Sequence, residues 1–370
     1  MKRKTARKIK QYFFTLTVLL LCAAVFANSS IFAEPIRMFA ENFTDSAVRF
    51  VLPSFACSAK QKNENKSATA TENKTVNEVK ATESQTKNTA TQKSEEKTAL
   101  ANAGEYGGRV ISQTINKLGA TASYGDVYVK NKTQKTIDIK TELEKKTDLK
   151  IELNSKSPQV LIIHTHATES FFPSIVKNYP KSWGERDNDT SKNMIAVGKV
   201  ITEKLNSAGI NTVQSEVLHD KEAYTGSYDR SRETIKSYMK KYPSIKVVID
   251  VHRDAINEED GDKIRPIIDI KGKTAGQIML VSGCESGPIT GYPNWRKNLR
   301  FSLGLQQKLE QTYPSLARPL FFAEKKYNQD LCPNSVLVEV GSQANLLSEA
   351  KYSAELFSNV LIKHLKSFAK

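Results

Sequence analysis

Apolar positions in this chain cluster into short runs, and three of the runs stop at a histidine or a glutamate. Val160-Leu161-Ile162-Ile163 leads into His164-Thr165-His166-Ala167-Thr168-Glu169. Val247-Val248-Ile249-Asp250-Val251 ends on His252, and Val336-Leu337-Val338 ends on Glu339. Runs this short and this rich in β-branched residues predict buried strands. Between them the apolar spacing changes to the helical period. Met194, Ile195, Val197, Val200, Ile201 and Leu205 predict a helix over about 191–207, stopped by Gly209. The same reading gives strands at 210–217, 245–251, 264–270, 278–281 and 335–340, with helices at 227–241, 297–311 and 348–367. Strands alternating with helices predict an α/β domain: a mostly parallel, twisted sheet with helices on both faces. In such sheets, sites gather beyond the carboxyl ends of the strands.

Ahead of that domain the pattern is different. Lys2, Arg3, Lys4, Arg7, Lys8 and Lys10 precede an almost wholly apolar run from Tyr12 to Ala27. This is the layout of an exported chain, and an uncleaved signal anchor over 1–33 is preferred to a cleaved signal peptide. Residues 34–57 form a juxtamembrane segment with scattered Phe, Val and Leu. Residues 58–103 are dominated by Lys, Asn, Thr, Ser, Glu and Gln, which cannot bury enough surface to offset ordering, so a disordered linker is expected there. Residues 104–157, with candidate strands near 124–129 and 137–139, are expected to form a lead-in subdomain, and 158–370 the main domain. The whole chain has 370 residues and a formal charge of +15, from 55 basic and 40 acidic side chains. That balance suits an anionic partner such as a membrane surface or an acidic wall polymer. No finger spacing or basic-aromatic helix points to nucleic acid. Of the four cysteines, Cys284 and Cys332 fall in the globular part. Outside the cytoplasm they could pair, and two buried free thiols are the plainer expectation.

The candidate chemistry lies at the strand ends. His and Glu together serve as ligands and base around a hydrolytic zinc ion. His164 and His166 share one face if the strand continues, and Glu169 lies one tight loop away. His252 is followed by Arg253 and Asp254, candidates for bracing a ligand or touching substrate, and Asp250 is placed to orient a histidine. A glutamate between apolar neighbours, as Glu339 is, needs a partner to offset its desolvation. Asn294-Trp295 and Tyr327-Asn328-Gln329-Asp330 could line a groove or be ordinary loops. His219 reads as a loop brace and His364 as a surface residue.

At these residues the chain resembles the stage II sporulation protein P family of endospore-forming bacteria. The matching segments are PQVLIIHTHATESF, NMIAVGKVI, SYDRSRETI, VVIDVHRDA, NWRKNLRFSLGLQQKL, YNQDL and VLVEVGSQANLLSEA. The resemblance implies a fold like that of zinc-dependent N-acetylmuramoyl-L-alanine amidases. It also implies peptidoglycan hydrolysis at the bond to the first stem-peptide alanine, with endopeptidase activity on cross-links. Zinc falls to His166, Glu169 and His252, with His164 and Asp189 as alternatives, because the wider group's helix-borne metal glutamate has no counterpart near Asp189-Thr190-Ser191-Lys192. Glu339 takes the place of the base. His164, Asp250, Arg253, Asn294 and Trp295 are left to support the site or to contact substrate. Implied partners are the peptidoglycan, the membrane and stage II sporulation proteins D and M, in an engulfment complex between the mother-cell and forespore membranes. The competing expectation is an inactive wall-binding scaffold. A metallophosphoesterase is a further rival, which lacks the usual second Asp and His after HxH.

Overall fold

The computed structural model describes residues 106–369. The expected anchor, juxtamembrane segment and polar linker lie outside these residues. In chain order the elements are β1 (Tyr106–Gln113), β2 (Ala122–Tyr124), β3 (Val127–Asn131), α1 (Ile139–Glu144), β4 (Val160–Ile163), β5 (Asn178–Pro180), α2 (Met194–Ser207), β6 (Thr212–Gln214), α3 (Ser227–Lys241), β7 (Val247–Asp254), β8 (Lys263–Ile270), β9 (Lys273–Gly276), β10 (Ile278–Gly283), α4 (Trp295–Thr312), β11 (Leu320–Ala323), β12 (Val336–Ser342) and α5 (Leu347–Lys366).

Eight strands form the main sheet in the order β2-β3-β11-β10-β12-β7-β4-β6. The sheet is mixed, which corrects the expectation of a mostly parallel one. β6, β4, β7 and β12 run parallel, but β10 pairs antiparallel with β12, and β2 with β3. The cause lies in the connections. A parallel return needs a long crossover, usually a helix, and no helix separates β7, β8, β9 and β10 in sequence. A four-stranded sheet, β5-β1-β8-β9, takes up the intervening strands. The lead-in residues contribute to both sheets: β1 pairs with β8 and β3 with β11. The element expected at 137–139 is instead the start of α1, where Asp138 accepts a hydrogen bond from the Thr141 amide at 3.1 Å.

Strand alternation divides the core. Val160 and Ile162 face a large cluster shared with α2, α4 and α5. Leu161 and Ile163 face a smaller one with Ile235 on α3, Val248 and Cys332. Asn193 caps α2 by accepting from the Ile195 amide, and Gly209 leaves that helix with a left-handed φ of 80°. Cys284 and Cys332 are both free and buried. His364, expected at the surface, is 4 % exposed, because the inner face of α5 packs it among Phe301 and Phe368. Among the described residues no helix is long and apolar enough to cross a membrane.

Candidate active site

The parallel register aligns the ends of three strands. Ile163 stands opposite Asp250, and Glu339 opposite His252. Val251 faces the large core cluster, so alternation turns Asp250 and His252 to the opposite, α3-bearing face.

His164 and His166 leave β4 into different surroundings. His164 is fully buried, its Nδ1 is 3.0 Å from the Val251 carbonyl and its Nε2 is 3.1 Å from the Gln214 amide nitrogen. One neutral tautomer satisfies both contacts: Nδ1–H donates to the carbonyl and Nε2 accepts from Gln214. Burial, foremost, pushes its pKa down to about 4. With both nitrogens engaged, His164 has none left for a metal. His166 stacks on Tyr224 at 4.3 Å and meets His252 edge-on at 5.3 Å. The Ser227 hydroxyl lies 3.2 Å from its Nδ1. Burial, and then the positive charge of His252, lower the His166 pKa to about 2, so the ring stays neutral.

Glu169 returns to the same point through a tight loop. Its Oε2 accepts from the Arg253 amide at 3.2 Å and lies 3.7 Å from His252 Nδ1. The Arg253 side chain donates to the carbonyls of Ser170 and Glu185 at 3.1 and 2.9 Å. It therefore staples the loop that carries Glu169. Asp189 is held in an exposed turn by Ser191 and Lys192, which keep its carboxyl well below the usual range. Its carboxylate is not brought to the histidines.

His252 is surrounded by acid. Its Nε2 is 2.9 Å from Asp250 Oδ1 but off the line of a hydrogen bond, so it remains without a formal partner. Burial would lower its pKa. Asp250 above all, then Glu169 and Glu339, override that and raise it to about 10. Asp250 is itself fixed by the Thr165 amide at 2.9 Å and the Thr165 hydroxyl at 2.6 Å. Glu339 is half-buried as a residue, but its Oε2 is fully out of solvent with no hydrogen-bond partner. Burial, then repulsion from Asp254, raise its pKa.

Among the described residues, no group of three or more His, Cys, Asp or Glu side chains is arranged to hold a metal ion. In kind, the donors gathered here are those a divalent cation takes. Two imidazoles and a carboxylate are a hydrolytic zinc set. One buried polar atom in the group, Glu339 Oε2, lacks a partner, while His252 Nε2 faces Asp250. The carboxylates around His252 also favour a positive charge at that place, which is what a bound cation would provide.

Several supporting residues escaped the sequence reading. Asp220 accepts from the amide and hydroxyl of Thr168 at 3.0 and 2.7 Å and pairs with Arg186. Tyr224, on the His166 ring, is itself covered by Arg186 at 4.8 Å. Tyr228, on α3, meets His166 edge-on at 5.6 Å. Of these only Tyr228 lies in a segment the sequence singled out, SYDRSRETI, a cluster of polar residues opening a helix. His219 braces a loop as expected, bridging the His164 carbonyl and the Thr234 hydroxyl at 2.8 and 2.9 Å. Trp295 does not line a groove: it is buried in the core against Phe322, and Asn294 is the exposed residue ahead of it at the start of α4.

Comparison with known proteins adds to this geometry. The model of the family described as Stage II sporulation protein P (SpoIIP) matches residues 28–362. A curated stage II sporulation protein P from Bacillus subtilis (strain 168) is 29% identical over 216 residues, covering 54% of this chain and 49% of that one. The match thus spans about half the length of that relative. Among solved structures, the CwlD amidase of Clostridioides difficile in complex with the GerS lipoprotein is 12% identical at a TM-score of 0.36, covering 57% of this chain and 98% of that one. This chain is likewise similar to N-acetylmuramyl-L-alanine amidase Ami1 of Mycobacterium smegmatis, 12% identical at a TM-score of 0.34 with 57% of this chain and 97% of that one covered, and to N-acetylmuramoyl-L-alanine amidase AmiC2 of Nostoc punctiforme, 12% identical at 0.33 with 56% and 95% covered.

Proposed function

Because this chain belongs to the stage II sporulation protein P family, we propose that it is a zinc-dependent peptidoglycan hydrolase of sporulation. Its reaction is cleavage of the amide between the muramoyl lactyl group and the first stem-peptide alanine, with cross-link endopeptidase activity beside it. The observation that carries this reading is the convergence of His166, Glu169 and His252 with Glu339 at one sheet edge.

His166, Glu169 and His252 are the residues that would hold the metal. Bound there, the ion would supply Lewis-acid activation of water and of the scissile carbonyl. The protein does the rest. Asp250, locked by Thr165, sets the orientation of the His252 ring. Arg253 positions Glu169 through its own amide and anchors the loop around it. Tyr224 and Tyr228 hold the His166 ring from its face and its edge. Glu339 Oε2 accepts a proton from the attacking water as the water oxygen bonds to the carbonyl carbon. It then delivers that proton to the alanine nitrogen as the C–N bond breaks, leaving a carboxylic acid and an amine. In the same proposal the N-terminal segment anchors the chain, the domain works outside the cytoplasm between mother cell and forespore, and stage II sporulation proteins D and M are partners.

The test is digestion of purified sacculi by the zinc-loaded full chain, with products resolved as muropeptides and bound metal quantified in parallel. New stem peptides with free alanine amines, lost in Glu339→Gln, are the expected result. A folded, zinc-loaded chain that leaves sacculi intact overturns the hydrolase reading, and a folded chain that binds no zinc points to the scaffold.

A further inference from the structure

The segment joining β11 to β12 contains the one YNQDL stretch, which the site described above does not use. Tyr327 and Asn328 adopt φ angles of 49° and 57°. Two successive non-glycine residues in the left-handed region persist only where their surroundings over-determine them. Here they do. The Asn328 amide donates to the Tyr228 carbonyl and the Ser231 hydroxyl at 2.8 and 3.0 Å. Gln329 donates to the Val281 carbonyl and accepts from the Gly283 amide, both at 2.9 Å. Arg232 grips Asp330 at 2.9 and 2.6 Å. Gly283 is required for this approach: a Cβ there would strike the Lys325 carbonyl and the Tyr327 ring.

The outcome of all this anchoring is the placement of one phenol. The Tyr327 ring packs on Met279, Val281 and Leu337. Met279 is the cross-strand partner of Glu339, and Leu337 lies on the same face of β12, two residues before it. Tyr228, which touches His166, is 6.2 Å from the Tyr327 ring. The Tyr327 hydroxyl is buried and has no hydrogen-bond partner. Burial and then the nearby Glu339 carboxylate raise its pKa, so it is a donor at neutral pH.

Resting on the hydrolase reading above, we propose that Tyr327 is a catalytic residue whose hydroxyl donates a hydrogen bond to the scissile carbonyl oxygen beside Glu339. A rigidly held donor aimed where charge develops stabilises the transition state more than the ground state. A structural role is the competing explanation. Tyr327 also lines a small cavity with Asp250, Asn328, Gln329 and Ser335, and a buried water there would satisfy the hydroxyl without any catalysis.

The two are separated by Tyr327→Phe in the full zinc-loaded chain, measured for kcat, KM and thermal unfolding beside wild type and Glu339→Gln. Catalytic donation predicts a kcat lower by roughly 10², KM within about twofold, and an unchanged or raised Tm, since an unpaired buried group has been removed. A wild-type kcat in Tyr327→Phe, with Glu339→Gln inactive, overturns the tyrosine alone. A fall in Tm accompanying any loss of activity assigns the hydroxyl to the structure and overturns it too. A wild-type chain that cleaves nothing overturns the hydrolase reading and this inference together.

Discussion

His364 makes this fold sensitive to mild acid, and the size of the effect can be worked from its surroundings. The ring is 4 % exposed, lies about equally close to Phe301 and Phe368 at 5.0 Å, and neither nitrogen meets a hydrogen-bond partner. Burial foremost, then the charge of Lys308, lower its pKa to about 3, against a slight pull the other way from the Phe301 carbonyl. In the unfolded chain it titrates near ~6.5. The unfolded state therefore takes up the proton first as pH falls, and stability is intact above about 6.5 and lost progressively toward about 3. By that linkage the loss is about 2 kcal/mol at pH 5 and about 5 kcal/mol when both states are protonated. His364→Leu keeps the volume close, removes the titration and leaves no orphaned nitrogen. Urea unfolding of both proteins at pH 7.5, 6 and 5 reads the difference, which also cancels the titration of carboxylates common to both. The expected result is a variant at least as stable as wild type at pH 7.5, with its advantage growing by about 2 kcal/mol at pH 5. Parallel stability profiles for the two proteins would refute the reasoning.

Two further predictions concern the fold around the site. Gly198→Ala in α2, a change that raises helix propensity, is expected to destabilise the protein by about 1–3 kcal/mol, because the added methyl meets the His164 ring and the Gln214 amide. Thermal unfolding checks this, and an unchanged or higher Tm counts against the packing described. Cys284 and Cys332 are buried, and burial pushes their thiols up to about 11 and about 12. Alkylation of the native chain at pH 8 should therefore leave both unmodified until denaturant is added, and reductant should not shift the Tm. Mass spectrometry after iodoacetamide treatment would show otherwise if either thiol labels quickly.

Much of this was readable along the chain because it depends on neighbours in sequence. Periods of two and of 3.6 residues located the strands and helices that form the sheet and its cover, and the polar residues closing three apolar runs marked the candidate site. Cap residues such as Asn193 and stops such as Gly209 act within one turn, so they too are local. What the pattern could not hold is pairing between distant segments. Strand direction is one example: nothing in the apolar runs of β10 and β12 states that they oppose each other, since either direction buries the same side chains.

The site divides in the same way. The chain alone determined that histidines and a glutamate follow apolar runs toward the carboxyl ends of their strands. Only the tertiary structure decided which of them are free to act. His164 and His166 are equivalent in sequence, yet the Val251 carbonyl and Gln214 occupy one ring while Tyr224 and His252 frame the other. Trp295, between Asn294 and Arg296, and His364, beside Lys363, are nevertheless buried in the fold. The physical reason is common to all of these: a side chain's hydrogen bonds and solvent exposure come from residues far away in sequence, and those are set only when the segments pack.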